Sequence, residues 1–105
     1  MGIGPVPAIK NLLSNTGLSI SDFDVIESNE AFAAQAIAVN RQLLLDPKRV
    51  NPNGGAIALG HPVGATGTII MVKLMAELER SAGKKGLATM CIGGGQGISI
   101  AIERI

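Results

Sequence analysis

The chain has 105 residues, 47% of them apolar and 16% charged, with a formal net charge of +1. That length bounds one domain burying roughly 65% of its unfolded surface, marginal for an enclosed active site. Scattered lysines and arginines with only two aromatic residues exclude a nucleic-acid or anionic-membrane footprint; no apolar run nears the roughly 18 to 20 residues of a bilayer span, and the one cysteine cannot form an internal disulfide or a structural zinc site.

The N-terminus lacks the basic-then-apolar order of a signal peptide, so a soluble cytoplasmic protein is expected. Gly2 and Gly4 lead into Pro5, which suits a first helical position, and Val6, Ile9, Leu12 and Leu13 recur on one helical face until Gly17. After the turn-rich Ser21 to Asp24, Val25-Ile26 reads as a short buried strand that delivers the chain to Ser28 and Asn29. From Glu30 to Leu45 an alanine-rich helix carries only Glu30 and Arg41 as charges, so it is expected to be buried almost all round.

Asp46-Pro47 breaks that helix, and a bend rich in proline and glycine runs to His61, the only histidine. Gly60 and Pro62 fix the backbone on either side of it, while Gly64, Ala65 and Gly67 allow another element or a ligand to approach closely. A helix from about Ala65 to Ser81 comes next, with Ile70, Met71, Leu74, Met75 and Leu78 on one side and Lys73, Glu77 and Arg80 on the other. Lys84-Lys85-Gly86 reads as a solvated turn. Leu87–Cys91 and Ile98–Ile102 then read as strands of an antiparallel hairpin closing an otherwise crossover-connected sheet. The order α-β-α-loop-α-β-β predicts an α/β fold, a mixed β-sheet layered with helices.

Neither glycine-rich segment is a nucleotide loop. Gly93 to Gly97 lies between strands with no helix after it and no ribose-binding carboxylate, and Gly64-Ala-Thr-Gly67 lacks the Lys-Ser/Thr pair of a P-loop. On residue type alone, His61 reads equally as a turn residue bonded to backbone, Cys91 as a small buried hydrophobe, Asn29 as a helix N-cap and Phe32 as core.

Three segments taken together point elsewhere: Asn29-Glu-Ala-Phe-Ala-Ala-Gln35, Asn51-Pro-Asn-Gly-Gly to Gly67 around His61, and Cys91-Ile-Gly-Gly-Gly-Gln-Gly97. In this order and spacing they resemble the C-terminal signature of the thiolases, acyltransferases that make and cleave 3-ketoacyl-CoA. The resemblance runs from Gly4-Pro-Val-Pro-Ala8 to the last strand and implies a thiolase-like half-fold, incomplete relative to a full thiolase.

It also implies roles. Cys91 would exchange the α-proton of acetyl-CoA, and the amide of Gly93 would help bind an oxyanion. His61 would activate the nucleophilic cysteine and bond a thioester or enolate oxygen, and Asn29 would hold the water that completes that oxyanion hole. Phe32 and Ala31 would line the acyl and pantetheine path. No cofactor is implied beyond the coenzyme A thioester, which is the substrate.

Family members carry the nucleophilic cysteine in a first half, together with a loop region contacting coenzyme A and a strand before the Gly-Pro-Val-Pro segment. This chain matches none of those parts, so it is expected to be a C-terminal catalytic domain, most akin to acetyl-CoA acetyltransferases, inactive alone and partnered by an N-terminal thiolase half. The rival expectation is a non-catalytic thiolase half acting as a dimerisation or assembly module. Either way the apolar composition predicts a homo-oligomer with a large partner surface.

Overall fold

The computed structural model describes residues 2–105. Helix α1 (Pro5–Thr16) begins with Pro5 in its first turn and stops at Gly17, whose left-handed backbone (φ 72°) lets its amide donate to the Leu13 carbonyl at 2.9 Å. A short 3-10 turn (Ile20–Asp22) leads to strand β1 (Val25–Ser28). Helices α2 (Ala33–Gln42), α3 (Ala56–Leu59) and α4 (Thr66–Arg80) precede strands β2 (Lys85–Gly93) and β3 (Gln96–Glu103).

The strands form one sheet in the order β1-β2-β3, with β1 parallel to β2 and β2 antiparallel to β3. Strand alternation divides the core into two layers. On one face Ile9, Phe23, Ile26, Leu45 and Leu87 pack together; on the other, Val25, Leu74, Leu78, Ile70 and Ala88 do. Helices α1 and α4 therefore cover opposite faces, giving the expected α/β layering around a mixed sheet.

Beyond β1, the segment around Val50 adds an irregular edge. The Ile26 amide donates to the Arg49 carbonyl at 2.8 Å, and the Asn51 amide donates to the Ile26 carbonyl at 2.9 Å. The Asn51 side chain then takes the place of a backbone, accepting from the Ser28 amide at 2.9 Å and donating to the Ser28 carbonyl at 2.8 Å. This pins the end of β1, and hence Asn29.

Four sequence expectations are revised. The helix predicted over residues 30–45 is shorter, because extended Phe32 caps it and Leu43 to Leu45 leave it so that Leu45 can enter the core. Nor is α2 buried all round: Gln35, Ala36 and Val39 are buried, but Ile37 is 50% exposed. The polar side of α4 is not its solvent side either. Glu77 is buried, paired with Arg80 and bonded by Asn53, while Lys73 reaches Glu27. Gly86 lies inside β2 rather than in a solvated turn, opposite Val25 and Ile102, with no room for a side chain beside Leu74 and Leu78. No described helix is long and apolar enough to cross a membrane.

Candidate active site

The site forms where three loops meet beyond the ends of β1 and β2. Cys91 is placed by β2, buried at 7% exposure, and paired with Gly97 across the hairpin. Immediately after it the register slips between Cys91 and Gly93, a bulge that bends the strand and redirects the glycine loop. Gly93, Gly94 and Gly95 have φ of 131°, 57° and 82°, a left-handed run that residues with a Cβ adopt only under strain. A Cβ at Gly93 would meet nothing within 4 Å, so this peptide stands open to an approaching group.

His61 lies in the bend between α3 and α4. Gly60 turns the chain with φ 103°, and the Pro62 carbonyl accepts the amides of Ala65 at 2.8 Å and Thr66 at 2.9 Å, which seats the histidine at the entry to α4. The imidazole is half-buried, and its Nδ1 lies 2.6 Å from Thr66 Oγ1. The bend is tied to the loop after β1 as well. Glu30 Oε1 accepts the Ile57 amide at 3.2 Å, and the same carboxylate occupies the space a Cβ at Gly55 would need.

Ala31, Phe32, His61, Val63, Met90, Cys91 and Ile92 line one cavity of about 350 Å³. Its ionisable side chains are the imidazole and the thiol, and the remaining side chains are apolar. Phe32 is 58% exposed rather than part of the core, leaving its ring free to face a ligand. Four of the six site residues singled out in the sequence thus share a single cavity.

The other two stand close to it in the chain without lining it. Gly93 is two residues beyond Cys91. Asn29 lines an adjoining pocket of about 20 Å³ together with Gly60 and Thr66, the residues that hold His61. It does not cap a helix, since Phe32 occupies that position in α2. Its amide donates to the Thr89 carbonyl at 3.0 Å, while its side chain is buried with no protein partner for Nδ2. A buried carboxamide donor without a partner is costly unless something else accepts from it.

Sequence reasoning missed Val63, Met90 and Ile92 as cavity walls and Thr66 as the partner of His61. Only Thr66 left a readable trace, a hydroxyl five residues after the histidine at the start of a helix. Deeper in the molecule, Glu27 on β1 is 1% exposed and bonded by Lys73 at 3.0 Å. Burial pushes its carboxyl above the ordinary value, and Lys73 pulls against that rise. Lys73 Nζ also donates to the Gly54 carbonyl, so this pair supports the segment leading to His61.

Residues 1–104 match the family described as thiolase, C-terminal domain. The chain is 64% identical over its full length to the beta-ketothiolase BktB of Cupriavidus necator, and 59% identical to a beta-ketoadipyl-CoA thiolase of Pseudomonas knackmussii. It is 57% identical, over 99% of its length, to an acetyl-CoA acetyltransferase of Paracoccus denitrificans. In each case it spans 27% of the relative. The crystal structure of human mitochondrial 3-ketoacyl-CoA thiolase in complex with CoA superposes with a TM-score of 0.96 at 54% identity, over 99% of this chain and 26% of that one.

Proposed function

This chain belongs to the thiolase family, as its C-terminal domain, and on that premise we propose that it supplies the acid/base half of an acyltransferase acting between coenzyme A thioesters. The observation that carries the reading is the cavity shared by His61 and Cys91. An imidazole and a thiol facing one apolar chamber, beside the open peptide of Gly93, are the acid/base and oxyanion groups that condensation or thiolytic cleavage of a 3-ketoacyl-CoA requires in addition to a nucleophilic thiol.

In this reading Cys91 moves the proton at the thioester α-carbon, as thiolate in one direction and thiol in the other. His61 takes the proton of a nucleophilic thiol contributed by the remainder of the enzyme, and then donates toward the oxygen of the thioester or enolate. The unpartnered Nδ2 of Asn29 donates toward the same oxyanion through water, and the Gly93 amide donates to a second one. Ala31 and Phe32 form the wall along which the acyl group and pantetheine lie. No cofactor takes part beyond the thioester itself.

The single thiol of the chain has the acid/base position, so the chain alone is inactive and its working partner is an N-terminal thiolase half. A second reading, an assembly module in a cytoplasmic homo-oligomer, draws support from exposed Ile37, Val63 and Val72. It describes the same surface, which the rest of a thiolase would cover.

The test is substitution in a full-length enzyme carrying this segment. His61→Ala is expected to slow both acyl transfer and condensation, and Asn29→Ala to slow condensation by less than the roughly 3 kcal/mol typical of a direct oxyanion donor. Single-turnover acylation at an unchanged rate in His61→Ala would reduce the histidine to a turn residue.

A further inference from the structure

His61 must present an unprotonated nitrogen to take a proton from a thiol, and a neutral imidazole has only one. In water the form with the proton on Nε2 predominates, so the opposite form needs an acceptor at Nδ1. The group at that place is the Thr66 hydroxyl, 2.6 Å away and itself 3% exposed. A hydroxyl has one hydrogen to give, and Thr66 Oγ1 lies 3.1 Å from the Pro62 carbonyl, which can only accept. Donating there leaves the Thr66 lone pairs facing Nδ1.

We propose that Thr66 is the positioning residue that keeps the proton of neutral His61 on Nδ1 and leaves Nε2 free as the base. The threonine touches no reacting atom. It acts from the first turn of α4, where its own amide is bonded to the same Pro62 carbonyl, so the orientation of the hydroxyl is set by the turn that seats the histidine. When Nε2 takes the thiol proton the ring becomes cationic, and the bond from Nδ1–H to Thr66 becomes charge-assisted and strengthens. The base is thereby stabilised in the state it must reach. This rests on the reading of His61 as the base.

Because the chain has one histidine, its imidazole nitrogens can be read in the uniformly ¹⁵N-labelled protein by long-range ¹H–¹⁵N correlation at about pH 8.5, above the ordinary imidazole value of about 6.5. The expected spectrum has a pyrrole-type Nδ1 and a pyridine-type Nε2. Thr66→Val should move the population toward the Nε2–H form, and Thr66→Ser should restore the original pattern. In a full-length enzyme carrying the segment, Thr66→Val should slow single-turnover acylation by about 10- to 100-fold, with Thr66→Ser recovering most of the rate.

In a wild-type chain shown to be folded by its dispersed amide spectrum, or in the full-length enzyme with that histidine assigned, a spectrum dominated by Nε2–H would overturn the assignment, even if Thr66→Val fails to fold. So would a folded Thr66→Val protein with unchanged nitrogen shifts or an unchanged acylation rate. The spectrum requires no turnover, so failure of the proposed enzymatic function would leave it readable.

Discussion

Gly4 at the start of α1 and Gly97 on β3 are in direct backbone contact: a Cβ on Gly97 would overlap the Gly4 carbonyl, and one on Gly4 would overlap the Gln96 carbonyl. The Gly-Pro-Val-Pro segment and the cysteine-glycine segment, at opposite ends of the sequence, are thus two sides of one close packing. Gly97 is also the residue paired with Cys91. The first helix therefore buttresses the strand that holds the thiol in register.

Replacing Gly97 by Ala forces that backbone apart. Overpacking of this kind costs about 1–3 kcal/mol, so Gly97→Ala should lower the denaturation midpoint clearly, and Gly4→Ala should do the same. Gly64→Ala, where a Cβ meets nothing within 4 Å, should leave the midpoint nearly unchanged. Chemical denaturation of the three variants checks the ranking.

The pair of Glu27 and Lys73 predicts a pH signature. Burial raises the Glu27 carboxyl above its ordinary 4.5, so its contribution to stability is fully present below that value and falls away as pH rises through the folded-state value. Lys73 limits the loss. Lys73→Met removes the ammonium from a carboxylate that is 1% exposed, and breaking a buried pair costs about 3 kcal/mol. The deficit should be large at neutral pH and shrink toward pH 4 as Glu27 protonates. Glu27→Gln in the same protein should flatten the pH dependence, which urea titrations between the two limits will show.

Ile37, Ile69, Val72 and Met75 are all more than a third exposed, apolar area on α2 and α4 that water covers in the single chain. Self-association of the chain at micromolar concentration is the expected consequence, with roughly 1,200 Å² or more buried. Sedimentation equilibrium decides it. A well-folded monomer of 10.7 kDa would show that this surface tolerates water.

The strands and both long helices were legible because their signals are local: Pro5 and Gly17 bracket α1, and the alternation through Ile98, Ile100 and Ile102 marks β3. The cavity shared by His61 and Cys91 was legible only through resemblance, since 30 residues separate them and no spacing rule brings a turn to a strand end. The inward turn of Lys73 and Glu77 was hidden for a related reason. A helical wheel assigns charges to solvent, whereas here buried Glu27 and the side chain of Asn53 draw them in. The shortening of α2 was equally unreadable, because Leu45 leaves the helix to fill a gap beside Ile9 and Phe23 that only the assembled core defines.

The role proposed for Cys91, acid/base rather than acyl acceptor, is tested most directly by intact-protein and peptide mass spectrometry on a full-length enzyme carrying this segment with Cys91→Ala, after mixing with acetyl-CoA. The predicted result is a stoichiometric acetyl group on a cysteine outside the segment, with condensation slowed by roughly 10²- to 10⁴-fold. An enzyme that no longer takes up acetyl at all, while the wild type carries it on Cys91, would contradict the account and make Cys91 the nucleophile.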